Sequence, residues 1–292
     1  MRHLLDFQDV DKRHLEKLIE VTKTSEAKAE NLDSLAILKF DEPSTRTRLS
    51  FAIAAEKLGI KTFESSDSIS ANQKGEMLKH EIETYVSMGI EILVLRTKEN
   101  NIDDYRVLED VGVISGGFGG ISHPTQALID ISTLDSFDKL KGTSVPITYI
   151  GDVKHSRVFE SGRQLLSLLG YKVGVFTNQN LLPEDKSNVE IYESWDEVFE
   201  NTNAIELLRV QKERIQENEK IDFENYIKNY QLTNKVLKKS QDDLIVLHPM
   251  PINVGIEISE DAIKDRKIKY LNQLSYAIPS RIAAFKYVKG EL

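Results

Sequence analysis

The run KFDEPSTRTRLS at residues 39–50 places two arginines, Arg46 and Arg48, in the opening turns of a helical pattern. The positive end of a helix dipole disfavours cations there by ~0.3 to 1 kcal/mol each, so this pattern asks for an anion. Ser44 follows Pro43 at the N-cap position, Leu49, Ile53 and Leu58 supply an apolar stripe, and Gly59 supplies a stop, which predicts a helix over 45–58. Its free N–H groups, the hydroxyls of Ser44, Thr45 and Thr47, and the forked guanidinium of Arg46 converge on one spot suited to a phosphate. The alternative on these residues alone is structural pairing, with Glu42 or another acid neutralising Arg46 or Arg48.

Five further clusters carry chemistry of the same kind. HPTQ (123–126) follows SGGFGGIS, whose Gly116, Gly117, Gly119 and Gly120 let backbone approach a ligand; the spacing is not GxGxxG, so nucleotide binding is rejected. His123 and Gln126 sit three apart on an opening helical turn with Pro124 near its first position, and could both donate to a carbonyl oxygen. A capping or core histidine is the other reading of His123. GDVKHSRV (151–158) offers Arg157 as an anion ligand, and RVQKER (209–214) offers Arg209 and Gln211 on one face if a strand continues through them. Each of these two could instead be a solvated charged loop. In HPMP (248–251) two prolines predict an extended rigid loop with exposed carbonyl acceptors. ESSDSISANQKGE (64–76) carries Ser70 and Lys74, and by composition it reads as a flexible surface loop.

These clusters must be held by regular elements. LAILKF (35–40), IEILVLR (90–96), VGVIS (111–115), VPITYIG (145–151), YKVGVFT (171–177), AIELLRV (204–210) and LIVLHP (244–249) are buried-strand patterns. Helical patterns lie between them at 45–58, 74–88, 123–136, 156–169, 194–200 and 259–265. That alternation predicts an α/β fold of two domains, each with a mainly parallel sheet flanked by helices. The polar linker DKLKGTS (138–144) marks the boundary, and the closing SRIAAFKYVKGEL reads as a helix that could pack on either half. The clusters fall at the carboxyl ends of strands, where open α/β sheets bind ligands.

Composition narrows the class. The 292 residues carry 38 Lys plus Arg against 47 Asp plus Glu, a net charge of −9, which argues against nucleic acid or an anionic membrane as partner. With no cysteine, disulfides, thiolate nucleophiles and sulfur-based metal sites are excluded. The charged N-terminus lacks an apolar signal region and no run of ~18 apolar residues occurs, which predicts a cytoplasmic protein.

In this order, FDEPSTRTRLSF, SANQKGE, VLR, HPTQALID, GDVKHSRV, RVQKER and HPMPIN resemble the aspartate/ornithine carbamoyltransferase family over about residues 35–275. RVQKER points to the aspartate branch, and the ornithine branch carries a Cys-containing HCLP motif where this chain has HPMP. The resemblance implies a carbamoyl phosphate-binding domain at 1–137, joined by the C-terminal helix at about 279–292, and an aspartate-binding domain at 138–278. It implies that Ser44, Thr45, Arg46, Thr47 and Arg96 hold the phosphate of carbamoyl phosphate. Thr47, Arg96 and His123 would donate to the carbonyl oxygen, and Gln126 would contact the carbamoyl amine. Arg157, Arg209 and Gln211 would grip the aspartate carboxylates, and Met250 and Pro251 would offer backbone carbonyls. Ser70 and Lys74 would reach into the neighbouring subunit of a homotrimer, both to carbamoyl phosphate and Lys74 to aspartate as well, with Arg46, Thr47, Lys74, Arg96 and His123 as the catalytic set.

The implied reaction needs no metal or cofactor, and it leaves regulatory chains or a dihydroorotase open as partners. Glu42 would pair with Arg157 and Arg214 in a closed form, or else neutralise Arg46 or Arg48. The chain departs from the family pattern at Asp41, where an aromatic is usual, Ala52 for Glu, Thr97 for His and Val254 for Arg, and LSYAIPSR (274–281) matches only loosely. Those departures keep two alternatives in view: another amine acceptor such as ornithine, or a catalytically weakened scaffold or regulatory paralogue.

Overall fold

Strands that are apolar on both faces can be stable only between layers of helices. The computed structural model describes residues 1–24, 31–65, 78–210 and 222–292. These residues divide into two units, Met1–Ser132 with Ser275–Leu292, and Thr133–Leu274. The first unit contains α1 (Lys12–Thr24), β1 (Leu35–Phe40), α2 (Thr45–Lys57), β2 (Lys61–Ser65), α3 (Leu78–Ser87), β3 (Ile92–Thr97), α4 (Ile102–Arg106), β4 (Gly112–Phe118) and most of α5 (Pro124–Ser136). The second contains β5 (Ile147–Gly151), α6 (Arg157–Leu168), β6 (Val173–Phe176), β7 (Val189–Ile191), α7 (Trp195–Asn201), β8 (Ala204–Leu208), α8 (Phe223–Tyr230), α9 (Asn234–Leu237), β9 (Ile245–Leu247) and nearly all of α10 (Tyr270–Ser275). The last helix, α11 (Ala277–Lys289), returns to the first unit and packs on α1, α2 and β4.

Both sheets are wholly parallel, in the orders β2-β1-β3-β4 and β7-β6-β5-β8-β9. All seven strands expected from the apolar runs are present. Sequence reading missed β2 and β7, which lie at sheet edges with partly exposed residues and so leave no apolar run. It also missed α1, whose stripe is only Leu15, Leu18 and Thr22. The helix expected at 259–265 is a single 3₁₀ turn, Ala262–Lys264, begun by Asp261 accepting from the Ala262 N–H and ended by extended backbone at Asp265. The stripe of α2 differs as well: Leu49 is 57% exposed, and the buried side is Thr47, Phe51, Ala54, Ala55 and Leu58. Phe51 is drawn inward by an edge-on contact with Phe285 of α11, 5.7 Å between ring centres.

One strand hides a charge. Lys39 of β1 is buried, and its ammonium lies 2.8 Å from both carboxylate oxygens of Glu81 in α3. Tyr85 donates to the same carboxylate at 2.6 Å, and burial followed by that bond pushes its phenol up to about 12. The pair joins β1 to α3 with polar groups satisfied, which a buried ammonium requires.

In the second unit, Gly162 lets α6 lie close to β5, because a Cβ there would stand 2.0 Å from the hydroxyl of buried Tyr149. Tyr149 is itself held edge-on by Phe159 at 5.3 Å. Alanine gains ~1 kcal/mol of helix propensity over glycine, but overpacking a filled core costs about 1–3 kcal/mol, and a rigid ring cannot swing away. Gly162→Ala is therefore expected to lower unfolding free energy by about 1–2 kcal/mol, read from the denaturant midpoint at unchanged slope.

Candidate active site

In each sheet the chain leaves the first strand to one side and later returns on the other. β1 is flanked by β2 and β3, and β5 by β6 and β8. The strand order thus reverses between β1 and β3 and between β5 and β8, and the loops that diverge there leave a crevice at the carboxyl ends. The segments bearing STRTR and Arg96 emerge at the first of these places and those bearing Arg157 and Arg209 at the second, while HPTQ and HPMP follow the edge strands β4 and β9.

In the first unit, β1 runs through Asp41–Ser44 into α2. Ser44 is the N-cap residue, in extended backbone (φ −157, ψ 92), but its hydroxyl makes no capping hydrogen bond. By contrast Ser156, Ser194, Asp222 and Thr233 all cap their helices with side-chain oxygens. No acid stands in the first turn of α2, so its N–H groups and the Ser44 hydroxyl remain available to an anion. Among the described residues Arg48 pairs with Glu64 at 3.2 Å, an exposed bridge of little energetic weight, whereas Arg46 has no carboxylate partner there. Partial burial draws the Arg46 guanidinium below its ordinary value.

Arg96 reaches the same end from β3. Its Nη1 donates to the Gly116 carbonyl at 3.0 Å, and its Nε lies 3.5 Å from Glu42 Oε2. The acceptor carbonyl belongs to a bulge: Leu95 pairs with Ser115 but Arg96 with Gly117, leaving Gly116 as the extra residue. The glycine run is accordingly strand to Phe118, not a loop from Ser115, and only its second half turns. Asp41, the acid in an aromatic's place, extends the β1–β3 ladder by donating its N–H to the Arg96 carbonyl at 2.9 Å. Thr97 accepts from Glu99 N–H through Oγ1 and from Gly119 N–H through its carbonyl, so it shapes the turn beyond Arg96.

His123 and Gln126 are both buried where α5 begins. His123 Nδ1 lies 3.5 Å from Thr125 Oγ1, and Gln126 Nε2 donates to Asp130 Oδ1 at 2.8 Å. A carboxylate can only accept, so the Gln126 NH₂ is turned to Asp130 and its carbonyl oxygen is the amide atom left for another donor. Asp130 was not singled out from sequence, although its i+4 spacing from Gln126 is a local signal.

In the second unit, Arg157 is the first residue of α6 and buried; Ser156 caps the helix by accepting from Phe159 N–H at 3.2 Å. Arg209 follows the end of β8 at Leu208, so the strand stops one residue short of it. Gly151 and Leu208 are register partners, which brings the Arg157 and Arg209 loops from neighbouring strand ends. Asp152, fully buried, holds the His155 ring at 2.8 Å. Glu257 ties the Arg209 segment to the 253–257 loop, accepting from Val210 N–H at 3.2 Å and from Asn253 N–H at 2.7 Å. Burial pushes its carboxyl above its ordinary value, with those bonds opposing. Nothing local in sequence marks Glu257. The HPMP loop is not simply extended: Met250 has φ +63 and the Met250–Pro251 peptide is cis. Ser70, Lys74, Gln211 and Arg214 lie outside the described residues.

Among the described residues no cluster of His, Asp and Glu suits a metal ion, and no helix is long and apolar enough to cross a membrane. An anion site at α2 predicts that inorganic phosphate raises the melting temperature, by the equivalent of about 2.7 kcal/mol at ~100 times its Kd. That shift is expected to vanish in Arg46→Ala and to survive in Arg48→Ala; a thermal melt of the three proteins reads it.

Residues 2–136 match the carbamoyl-P binding domain of aspartate/ornithine carbamoyltransferase, and residues 143–288 match the Asp/Orn binding domain. The aspartate carbamoyltransferase catalytic subunit of Aquifex aeolicus is 33% identical over 294 residues, 99% of either chain. That of Thermus thermophilus is 34% identical over 299 residues, 99% of this chain and 98% of its own. The solved catalytic subunit of M. jannaschii aspartate transcarbamoylase superposes with a TM-score of 0.80 at 28% identity, covering 100% of this chain and 99% of its own. With both family domains matched over nearly its whole length, the chain belongs to the aspartate/ornithine carbamoyltransferase family.

Proposed function

We propose that the chain transfers the carbamoyl group of carbamoyl phosphate to the amine of L-aspartate, giving N-carbamoyl-L-aspartate and phosphate, the committed step of pyrimidine synthesis. Full-length relatives carrying the name aspartate carbamoyltransferase catalytic subunit support it. The observation that carries the choice of acceptor is the placement of Arg157 and Arg209 at adjoining strand ends of the second sheet. Two guanidiniums suit a dicarboxylate and repel the ammonium side chain of ornithine.

In this reading the α2 N–H groups, Ser44, Thr45, Thr47, Arg46 and Arg96 hold the phosphate. Thr47, Arg96 and His123 donate to the carbonyl oxygen, while Gln126 accepts from the carbamoyl NH₂ through the oxygen that Asp130 leaves outward. Arg157, Arg209 and Gln211 bind the aspartate carboxylates, and the carbonyls of Met250 and Pro251 accept from the attacking amine and the carbamoyl group. The amine lone pair forms the new C–N bond, the carbonyl becomes a tetrahedral oxyanion, and its collapse breaks the C–O bond to phosphate as the amine loses a proton. Positioning two mutually repelling anions and donating to that oxyanion are the work required; one such donor is worth ~3 to 4 kcal/mol. The first domain, residues 1–137 with the C-terminal helix, serves carbamoyl phosphate and the second, 138–278, serves aspartate. Ser70 and Lys74 are supplied by the neighbour in a cytoplasmic homotrimer.

Purified protein incubated with carbamoyl phosphate and either L-aspartate or L-ornithine is expected to give carbamoylated product with aspartate only. Product with ornithine alone would move the chain to the other branch, and product with neither would identify an inactive paralogue. His123→Ala is expected to lower kcat by ~10²- to 10³-fold. Mixed Lys74→Ala and Arg46→Ala chains, each inactive alone, are expected to regain partial activity; none despite demonstrated subunit exchange would rule out shared sites.

A further inference from the structure

Glu206 lies in the middle of β8 and is fully buried, an acid in a strand that is otherwise apolar. It stands one strand away from the HPMP segment, opposite Leu247 of β9 in the sheet register. Gln273 of α10, also buried, donates from Nε2 to Glu206 Oε1 at 3.0 Å. Its other amide atom, Oε1, accepts the backbone N–H of His248 at 2.9 Å. His248 is buried, and its Nδ1 accepts the backbone N–H of Met250 at 2.8 Å. A chain of three hydrogen bonds therefore runs from a core carboxyl group to the backbone of Met250, whose φ of +63 is a conformation that non-glycine residues seldom hold without support.

The two backbone N–H groups set the direction of the chain, and Glu206 completes it as the acceptor for the Gln273 NH₂. The backbone N–H of His248 can only donate, so Gln273 must present oxygen to it and NH₂ to the opposite side. An acceptor at position 206 makes that orientation the favoured one; an apolar side chain there would leave the NH₂ buried without this partner, at a cost of ~1 to 3 kcal/mol that reorientation could relieve only by releasing His248. Because Met250 N–H points at Nδ1, the ring proton of His248 sits on Nε2.

We propose that Glu206 is a positioning residue for the acceptor amine, acting through Gln273 and His248 to fix the Met250–Pro251 backbone. This rests on the proposed reaction, in which the Met250 and Pro251 carbonyls accept from the attacking amine and the carbamoyl group. It assigns Glu206 a larger effect on aspartate than on carbamoyl phosphate, whose phosphate ligands are all on other elements.

The test compares Glu206→Met with Glu206→Gln, the second keeping an amide oxygen as acceptor for Gln273. Glu206→Met is expected to raise KM for L-aspartate about tenfold and KM for carbamoyl phosphate by no more than about twofold, and Glu206→Gln to stay within about twofold of the parent on both. Backbone amide exchange of residues 248–251, followed by mass spectrometry, is expected to quicken in Glu206→Met only. A Met variant with unchanged aspartate KM and unchanged exchange overturns the proposal, as does a Gln variant as impaired as the Met variant. A loss of kcat with both KM values unchanged marks a smaller folded fraction and likewise overturns it. If the parent protein makes no carbamoylaspartate, the reaction reading fails, and the exchange measurement alone still decides whether Glu206 orders the loop.

Discussion

Every strand in both sheets runs parallel to its neighbours, so all carboxyl ends in a sheet open at one edge. Reversal of strand order about β1 and about β5 then leaves each sheet one place where successive loops diverge. The residues with anion-binding chemistry depend on that constraint. Arg96 meets the α2 segment only because β1 and β3 are register partners, and Arg157 and Arg209 share an edge only because β5 and β8 are. Neither pair is close in sequence, and no local feature of either segment would bring them together.

A chain of net charge −9 that binds anions must localise its cations and choose which acids may answer them. The first unit does this by separation. Arg48 is answered by Glu64 at the exposed edge, Arg96 is steadied by Glu42 and the Gly116 carbonyl, and Arg46 is left without a carboxylate among the described residues. A carboxylate in the first turn of α2 would compete with phosphate for the same N–H groups, and none is present. Arg48 is thus paired and Arg46 is without a carboxylate among the described residues, although both share the same few residues of sequence.

Much of the remaining polar chemistry orients other groups instead of meeting ligand. Asp130 sets the Gln126 amide, Asp152 holds the His155 ring, Glu257 ties the Arg209 segment, and Glu206 lies behind the HPMP loop. Each is buried, and each accepts a hydrogen bond from a side chain or backbone N–H beside it. Burial is what makes them effective: removed from water, an acceptor fixes its donor's orientation, because leaving the donor unmet costs more than any alternative rotamer gains.

Composition and periodicity alone determined that this is a mainly parallel α/β protein, that its seven apolar strands lie where they do, and that its polar clusters follow strand ends. The motifs STRTR, HPTQ and RVQKER were enough to state a family. Two-faced burial leaves an apolar run that can be read locally, and a helix cap leaves a residue type at one position. Edge strands β2 and β7 left no such mark, since backbone hydrogen bonds hold them whatever their side chains. The identity of partners was equally hidden: Lys39 with Glu81, Arg96 with Glu42, the bulge at Gly116, and Gln273 between Glu206 and His248. Only the tertiary structure decided these, because a hydrogen bond depends on distance in space between residues tens of positions apart, and no period along the chain encodes that distance.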